Sequence, residues 1–286
     1  MRISVIVPTY RRPMALLTEA LETVPRDAPG LAFEIVVVDD ASPERLDASR
    51  LNDSRARVVR RDVNGGVAGA QNTGIDSCDE ADAVVFLHSD DRLGEARFRA
   101  QAAILSASPH ISWVGSRGIG GSRARPDPLA SVSHHDMLAR PLSVHISNYL
   151  FRRELLDTYR FDEGLRCRED WDLLYRLKRD GVGYATVDEV GSVRPGDQAD
   201  RLSNSPEMAH SMAYLREKYL DELSQDRRLL ALWELRTAML YESFGADPAL
   251  RHRARHWYRR SLVHAPFHPR RVMAALRCTA KSVVRR

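Results

Sequence analysis

The sequence predicts an α/β protein in which helices flank a mostly parallel central sheet, with a helical C-terminal module after it. Three observations support this fold class. The first ninety residues alternate apolar runs with helical patterns, the runs are continuously apolar, and the pattern is wholly helical from about residue 207. Continuous apolar strands separated by helices are typical of a parallel sheet that is covered on both faces.

The predicted strands are four short runs rich in β-branched residues. They lie at residues 3–7, 33–38, 57–60 and 83–87. A helix is predicted after the first run, because Pro13 suits a first helical position and apolar residues then recur at helical spacing up to Val24. Two further helical patterns lie at about residues 67–77 and 94–106.

The rest of the chain divides into an irregular stretch and a helical one. Residues 112–205 contain several glycines that mark loops, and one clear helix over 170–179 that ends at Gly181. Helices are then predicted over residues 207–222, 225–244, 247–263 and 269–284. We expect these helices to form an appended module and not an independent domain.

The composition is that of an ordinary globular protein. Of the 286 residues, 43% are hydrophobic and 29% are charged, so a sizeable core is expected. No apolar run approaches the roughly 18 to 20 residues that span a bilayer, and the first run is too short for a signal peptide. The three widely spaced cysteines match neither a disulfide framework nor a metal-binding spacing. We therefore expect a cytoplasmic protein with reduced thiols.

The net charge of +4 conceals an asymmetry between the C-terminal tail and the rest of the chain. Residues 251–286 contain eleven Lys or Arg and no Asp or Glu, whereas the preceding 250 residues hold 32 basic and 39 acidic residues, a net charge of −7. Two readings stay open: a solvated basic face on packed helices, or peripheral attachment to an anionic membrane. The tail has no nucleic-acid-binding motif, so no nucleic-acid partner is expected.

Candidate functional residues follow the strands. Ligands of open parallel sheets bind beyond the carboxyl ends of the strands. Four polar stretches lie at or just after such ends, namely residues 8–10, 39–40, 64–66 and 88–91. The sequence therefore predicts a ligand site formed by these stretches.

Two acidic pairs are the strongest signals among them. Asp90 and Asp91 are adjacent carboxylates that repel each other, and Mg²⁺ or Mn²⁺ with a substrate phosphate would compensate their charge. Helix capping or an Asx turn is the alternative. Asp39 and Asp40 repeat the pattern at the end of the second strand. Two such pairs that converge on one crevice favour a cation site.

Two other segments have a structural and a functional interpretation. The glycine-rich residues 64–69 open a helix, where glycine lets the backbone approach a phosphate. They do not follow the first strand, as a dinucleotide-binding fingerprint would. The acidic residues of 169–172 begin the helix of the middle region. They either stabilise its N-terminus or supply a general base for an acceptor hydroxyl.

Together these motifs resemble the family 2 glycosyltransferases of the GT-A fold. The resemblance covers roughly residues 1–200, with the motifs in the family's order and at its spacing. They are Ser4–Tyr10 (SVIVPTY), Ile35–Ser42 (IVVVDDAS), Asn64–Gly66 (NGG), Asn72–Gly74 (NTG), Phe86–Asp91 (FLHSDD), residues 148–153, Phe161–Glu163 (FDE) and Glu169–Leu173 (EDWDL).

The resemblance implies a nucleoside diphosphate sugar as the donor. It implies that Pro8 and Tyr10 hold the base and the ribose, and that Asp40 forms a hydrogen bond with the base. Gly66 and Asn72 are assigned to the same nucleotide site through their motifs. The domain division that follows is 1–115 for the nucleotide-sugar-binding half, 116–205 for the acceptor-binding half and 206–286 for the basic helical module.

The resemblance also implies an inverting, metal-dependent transfer of a sugar to an acceptor hydroxyl. Asp90 matches the carboxylate that meets the ribose, and Asp91 the ligand of the Mn²⁺ or Mg²⁺ that binds the diphosphate. Asp170 matches the general base, and Glu169 is a candidate supporting residue. The Gln-x-x-Arg-Trp motif of processive members is absent, which favours transfer of a single sugar.

Two residues depart from the family pattern. His88 stands where the family usually has an acid, and Gln71 where it usually has Arg. Neutral imidazole can ligate manganese, so His88 is a candidate supporting residue of the metal site. The departures leave open a catalytically weak nucleotide-sugar-binding protein. A nucleotidyltransferase on a similar fold is a separate alternative, which would require a basic residue at a triphosphate and no Glu-Asp-Trp helix. The acceptor is not identified by the sequence.

Overall fold

The computed structural model describes residues 1–26, 28–51, 53–120, 123–140, 142–194, 204–244 and 247–265. The chain forms two compact units. The sheet unit comprises Met1–His134, Leu142–Gly164 and Glu169–Asp197, and the helical unit comprises His135–Pro141, Leu165–Arg168 and Gln198–Arg286. The division of function among 1–115, 116–205 and 206–286 stays a prediction.

The strands confirm the four predicted apolar runs and add others. Those of the first half are β1 (Arg2–Thr9), β2 (Ala32–Asp39), β3 (Ala56–Arg60), β4 (Ala83–Phe86) and the short β5 (Arg92–Leu93). Those of the second half are β6 (Trp113–Gly120), β7 (Arg123–Arg125), β8 (Leu150–Arg152) and β9 (Tyr184–Arg194).

These strands form one sheet in the order β3-β2-β1-β4-β8-β6-β9-β5, with β7 beside β6. The pairs among β1 to β4 are parallel, and β6 pairs with β9 in parallel as well. Antiparallel pairs join β4 to β8 and β8 to β6. The predicted α/β class with a mostly parallel central sheet is confirmed. Each antiparallel pair includes a strand of residues 112–205, the stretch predicted to be irregular, and one of these pairs joins the short β5 of the first half to β9.

The helices, in chain order, agree with most of the predicted ones. They are α1 (Met14–Leu21), α2 (Gly66–Asp76), α3 (Ala96–Ala107), α4 (His134–Ala139), α5 (Leu155–Thr158), α6 (Glu169–Arg179), α7 (Glu207–Lys218), α8 (Leu220–Ser224), α9 (Arg227–Ser243) and α10 (Pro248–His264). The predicted helix over 207–222 is two helices, α7 and α8, that meet at Tyr219. The predicted helix over 269–284 lies outside the described residues.

The β6 strand contains glycines that predict a loop from the sequence pattern alone. A Cβ atom at Gly115 would lie 1.8 Å from Asp127 Oδ2, and one at Gly118 would lie 2.8 Å from Asn148 Nδ2. Glycine in a strand interior often marks the close approach of another group. The sequence shows the glycine but not the distant residue that requires it, so the prediction of loops here was wrong.

Tight packing between α2 and β1 positions the functional edge of the sheet. The core of the sheet unit includes Val5, Val37 and Val85 from the parallel strands and Leu17 from α1. On the opposite face, a Cβ atom at Gly74 of α2 would lie 2.3 Å from Ile6 Cγ2. This contact lets α2 lie directly on β1, which fixes the helix N-terminus relative to the strand ends.

The helical unit buries part of the basic tail. Helices α7, α9 and α10 share a core that includes Tyr241 and Trp257. The fully buried Glu234 accepts hydrogen bonds from Arg216 at 2.8 Å and Arg260 at 3.1 Å, and lies 2.8 Å from His264 Nδ1. Two residues of the tail, Arg260 and His264, therefore hold α10 against α9, and Arg216 joins α7 to the same carboxylate. Within the described ranges, no helix is long and apolar enough to cross a bilayer.

Candidate functional site

Parallel pairing brings three of the predicted polar stretches to one edge of the sheet. Thr9 of β1 is in register with Asp39 of β2, and Ile6 is in register with Phe86 of β4. The segments after these strands continue the pattern, since Asp40 N donates to Thr9 O at 2.9 Å and Leu87 N donates to Ile6 O at 2.9 Å. Pro8 is buried in β1, and Tyr10 beyond its end is 40% exposed.

The first acidic residue at this edge, Asp39, is compensated by the protein. Its carboxylate accepts hydrogen bonds from Ser42 N at 3.0 Å, Leu46 N at 3.3 Å and the Arg60 guanidinium. Burial raises the pKa of Asp39, but these hydrogen bonds outweigh it and hold the pKa below its usual value. Asp39 is therefore an ionised carboxylate that closes the turn after β2.

Asp40 is compensated in a similar way at the N-terminus of α2. Its two carboxylate oxygens accept hydrogen bonds from Gly65 N at 2.9 Å and Gly66 N at 2.8 Å, and Arg61 Nε lies 3.0 Å from Oδ1. A carboxylate at this end of a helix is favoured by the helix dipole. Arg60 and Arg61 thus balance Asp39 and Asp40, and the expectation that this pair needs a cation was wrong.

Arg61 also explains two of the glycines in the 64–69 motif. A Cβ atom at Gly65 would lie 2.4 Å from Arg61 Nη2, and one at Gly69 would lie 2.9 Å from the same atom. The guanidinium additionally donates to Thr73 Oγ1 at 2.6 Å. These two glycines make room for an arginine side chain, whereas the sequence analysis predicts that they let the backbone approach a phosphate. The nucleotide roles of Asp40 and Gly66 stay predictions.

Asn72 joins two motifs that are far apart in the sequence. Its Nδ2 donates to Phe161 O at 3.0 Å and to Glu163 Oε1 at 2.9 Å, and its Oδ1 accepts from Phe161 N at 3.0 Å. The NTG motif of α2 therefore fixes the position of the FDE motif. This contact gives Asn72 an observed positioning role, and its assignment to the nucleotide stays a prediction.

The second acidic pair, after β4, is built differently from the first. Asp91 is 1% exposed, and its Oδ2 accepts a hydrogen bond from Ser147 Oγ at 2.7 Å. Asp90 beside it is 9% exposed. The described part of the chain contains no cluster of three or more His, Cys, Asp or Glu that could hold a metal alone. Two carboxylates completed by substrate phosphates are a usual Mg²⁺ site, so Asp90 and Asp91 fit such an ion.

The two departures from the family pattern contact each other. Gln71 Nε2 of α2 lies 3.3 Å from His88 Nε2 at the end of β4. Gln71 is fully buried, and its Oε1 has no hydrogen-bond partner within the described structure. The His88 ring is therefore oriented by Gln71, and its assignment as a supporting residue of the metal site stays a prediction.

The acidic start of α6 contains carboxylates in three different environments. Asp172 is fully buried and paired with Arg176 Nε at 3.0 Å. Burial, with the charges of Asp170 and Asp172 adding to it, raises the pKa of Glu169 to about 8. Asp170 is partly exposed and accepts a hydrogen bond from Trp171 N at 2.7 Å. Near neutral pH, Glu169 is therefore mostly protonated beside the accessible Asp170.

A short buried segment contacts Asp91 and lies within electrostatic range of Asp170. The 3₁₀ turn Ile146–Asn148 contributes Ser147 to Asp91, and the next residue is Tyr149. Burial first, then the nearby Asp127 and Tyr184, and also the charge of Asp170, raise the pKa of Tyr149. Tyr149 in turn donates to Asp127 Oδ1 at 2.9 Å. One buried segment of the sheet unit thus contacts the candidate metal ligand and is influenced by the charge of the candidate base.

Sequence reasoning missed Arg60, Arg61 and Ser147. A signal for the arginines was present, because two basic residues at the end of a strand beside two acidic ones can compensate them. A single serine in a loop has no such signal, since its contact with Asp91 connects residues that are far apart in the sequence.

The sequence of this chain matches the model of a known protein family. The model of "Glycosyl transferase family 2" matches residues 4–160. Among curated proteins, the succinoglycan biosynthesis protein ExoO of Rhizobium meliloti is 29% identical over 240 residues, which cover 74% of this chain and 68% of that protein. The amylovoran biosynthesis glycosyltransferase AmsB of Erwinia amylovora is 24% identical over 64% of this chain and 66% of its own length.

Solved structures show the same fold. S. aureus TarS 1–349, in complex with UDP-GlcNAc, is 20% identical with a TM-score of 0.63, over 96% of this chain and 84% of that one. Glucosyl-3-phosphoglycerate synthase from Mycobacterium tuberculosis, in complex with Mn²⁺, UDP and phosphoglyceric acid, is 22% identical with a TM-score of 0.53, over 76% and 78% of the two chains.

Proposed function

Because this chain belongs to the family 2 glycosyltransferases, we propose that it is an inverting, metal-dependent enzyme that transfers one sugar from a nucleoside diphosphate to an acceptor hydroxyl. The observation that carries the proposal is the arrangement around the segment 146–149. Ser147 of this segment contacts the buried Asp91 carboxylate, and Asp170 lies within electrostatic range of Tyr149.

Two observations support the proposed donor: the residues at the carboxyl ends of the strands, and the ligands bound in structures of similar proteins. The TarS and glucosyl-3-phosphoglycerate synthase structures contain UDP-GlcNAc and UDP, which makes UDP the first nucleotide to test. Tyr10, exposed beyond β1, is proposed to contact the base or the ribose together with Pro8. Asp90 is proposed to meet the ribose.

A divalent cation, Mn²⁺ or Mg²⁺, is proposed to bind with the donor. Asp91 would hold it, and phosphate oxygens of the donor would complete the ligands. When bound, the cation would neutralise the negative charge that develops on the departing diphosphate. The protein's own contribution is to hold the Asp91 carboxylate in a buried, hydrogen-bonded position at the end of β4.

Asp170 is proposed as the general base. A hydroxyl that attacks the anomeric carbon loses its proton as the new bond forms, and a partly exposed carboxylate can accept it. Glu169, kept protonated by burial, adds no second negative charge beside Asp170 near neutral pH. Attack on the face opposite the leaving diphosphate accounts for inversion.

A binding protein without efficient turnover is the second candidate. The contact between His88 and Gln71 favours it, because a histidine and an amide stand where the family usually has an acid and an arginine. Nucleotide binding alone does not distinguish the two candidates. Turnover of a donor in the presence of an acceptor does.

The direct test of the proposal has two stages. A thermal-shift panel of UDP, GDP, TDP and CDP, each with and without Mn²⁺, identifies the nucleotide, since a ligand at a hundred times its Kd stabilises by about 2.7 kcal/mol. The corresponding nucleotide-sugars are then assayed for release of the diphosphate with candidate acceptors. No stabilisation by any of the four nucleotides would reject the proposed donor class.

We also propose that the basic tail contacts anionic membranes through α10. This helix contains five arginines and no acidic residue, and Arg253 and Arg259 are exposed while Trp257 is buried. Each basic residue near an anionic surface contributes about 1 kcal/mol. Reversing Arg253 and Arg259 to Glu should weaken binding to phosphatidylserine vesicles, whereas reversing the exposed Arg99 of α3 should not. Equal binding of all three proteins would favour a solvated basic face.

A further inference from the structure

The 3₁₀ turn that contacts Asp91 is held by hydrogen bonds from three other elements of the sheet unit. Asn148 O accepts from Gln101 Nε2 at 3.1 Å and from Ser116 Oγ at 2.7 Å, and Asn148 Oδ1 accepts from Ser192 Oγ at 2.7 Å. We call these four residues the Asn148 clamp. All four are buried, and they come from α3, β6, β9 and the turn itself.

Two glycines leave space for this clamp. A Cβ atom at Gly191 would lie 1.8 Å from Ser116 Oγ and 2.9 Å from Asn148 Oδ1, and one at Gly118 would lie 2.8 Å from Asn148 Nδ2. A larger residue at either position would displace a side chain of the clamp. The local sequence of β6 and β9 is therefore adapted to hold Asn148 in one position.

The clamp fixes Ser147, and Ser147 contacts the Asp91 carboxylate. Ser147 is fully buried and donates from Oγ to Asp91 Oδ2 at 2.7 Å. The backbone near Asp91 is held as well, since Asp91 N donates to His88 O at 2.9 Å and Gly94 N donates to Gly191 O at 2.9 Å. A carboxylate has about four lone-pair sites, so a hydrogen bond from the Ser147 hydroxyl to one oxygen does not by itself prevent cation binding.

We infer that Ser147, held by the Asn148 clamp, is a positioning residue that orients the Asp91 carboxylate toward a divalent cation bound with the nucleotide. This inference rests on the proposed function, because it concerns the same cation. Partners of metal-binding carboxylates fix the orientation of the ligand, and their loss typically costs 10- to 100-fold in metal affinity. The clamp explains how a loop residue is held rigidly enough for this task.

The test measures the gain in nucleotide affinity that Mn²⁺ produces. Calorimetry gives the Kd with Mn²⁺ and with EDTA for the diphosphate that binds the wild-type protein most tightly among UDP, GDP, TDP and CDP. Ser147→Ala should reduce the manganese-dependent gain about tenfold while leaving the Kd in EDTA within about twofold. Ser147→Thr, which keeps the hydroxyl, should restore most of the gain. The exposed Ser143→Ala is the matched control and should behave as wild type.

A variant at the clamp separates positioning from local packing. Ser192→Ala removes a bond to Asn148 Oδ1 without touching Asp91, and it should reduce the gain by a smaller factor. If Ser147→Ala only lowers the melting temperature and keeps the full manganese gain, the inference is overturned while the proposed function stands. If the wild-type protein shows no manganese gain, the proposed metal role fails first, and this inference fails with it.

Discussion

The two acidic pairs at the edge of the sheet have nearly the same sequence context but different structures. Asp39 and Asp40 follow β2 and are compensated by Arg60, Arg61 and backbone amides. Asp90 and Asp91 follow β4, and Ser147 Oγ donates a hydrogen bond to Asp91 Oδ2. The same motif is therefore held by arginines and backbone amides at one strand end and contacted by a buried serine hydroxyl at the next.

Because Asp39 is buried and paired with Arg60, we expect the largest loss of stability from a substitution at Asp39. Asp39→Asn leaves the Arg60 guanidinium without its buried carboxylate, and we expect a loss of about 3 kcal/mol in the free energy of unfolding. The exposed Asp62→Asn, which makes the same change of charge, should cost less than about 0.5 kcal/mol. Urea unfolding of both variants checks this. Similar stability of the two would show that Arg60 does not stabilise through Asp39.

At the start of α6, a proton compensates the charge of the buried Glu169 carboxylate, whereas arginines compensate Asp39 and Asp40. The pKa of Glu169 is raised from 4.5 to about 8 in the folded protein, so the folded state binds more protons than the unfolded state between these values. Glu169 therefore contributes most stability below about pH 4.5 and loses this contribution as the pH rises through about 8.

Thermal unfolding from pH 5 to pH 9 tests this sign. The stability of the wild-type protein should fall relative to Glu169→Gln as the pH rises from 5 towards 8, and the difference should level off above the folded pKa of about 8. Parallel curves for the two proteins would place the ionisation of Glu169 near its ordinary pKa. In activity assays we expect Glu169→Gln to be milder than a change at Asp170.

How much of this could be predicted from the sequence differs between the two acidic pairs. The strands β1, β2 and β4 are continuous apolar runs, so their ends, and with them both pairs, could be located. The partners of the pairs could not. Arg60 meets Asp39 through the register of β3 with β2, and Ser147 meets Asp91 across fifty-six positions of sequence separation.

The strands of the second half were missed for a related reason. The β6 strand contains Gly115 and Gly118, which are needed because Asp127 and Asn148 approach closely. A local pattern cannot distinguish such a glycine from one in a loop. The GT-A fold entered through the resemblance of the motifs, and the structural comparisons confirm it.

The chemistry at α6 gives the next prediction. Asp170→Asn should lower turnover about a hundredfold or more, because a lost general base typically costs 10²- to 10⁴-fold. Nucleotide affinity should stay nearly unchanged, since Asp170 is not proposed to contact the donor nucleotide. Steady-state kinetics together with calorimetry separate the two quantities. Near-normal turnover would remove Asp170 from the mechanism and make Glu169 and Asp172 the next residues to test.

The central claim is that Asp91, and not the arginine-compensated pair, holds a cation together with the donor diphosphate. The most direct measurement is the ratio of nucleotide Kd values in EDTA and in Mn²⁺ for wild type, Asp91→Asn and the Asp62→Asn control. We predict a ratio of about ten or more for wild type and the control, and a ratio near one for Asp91→Asn, because Mg²⁺ and Mn²⁺ sites of this kind depend on one or two carboxylates. An unchanged ratio in Asp91→Asn, with the fold intact, would contradict the claim.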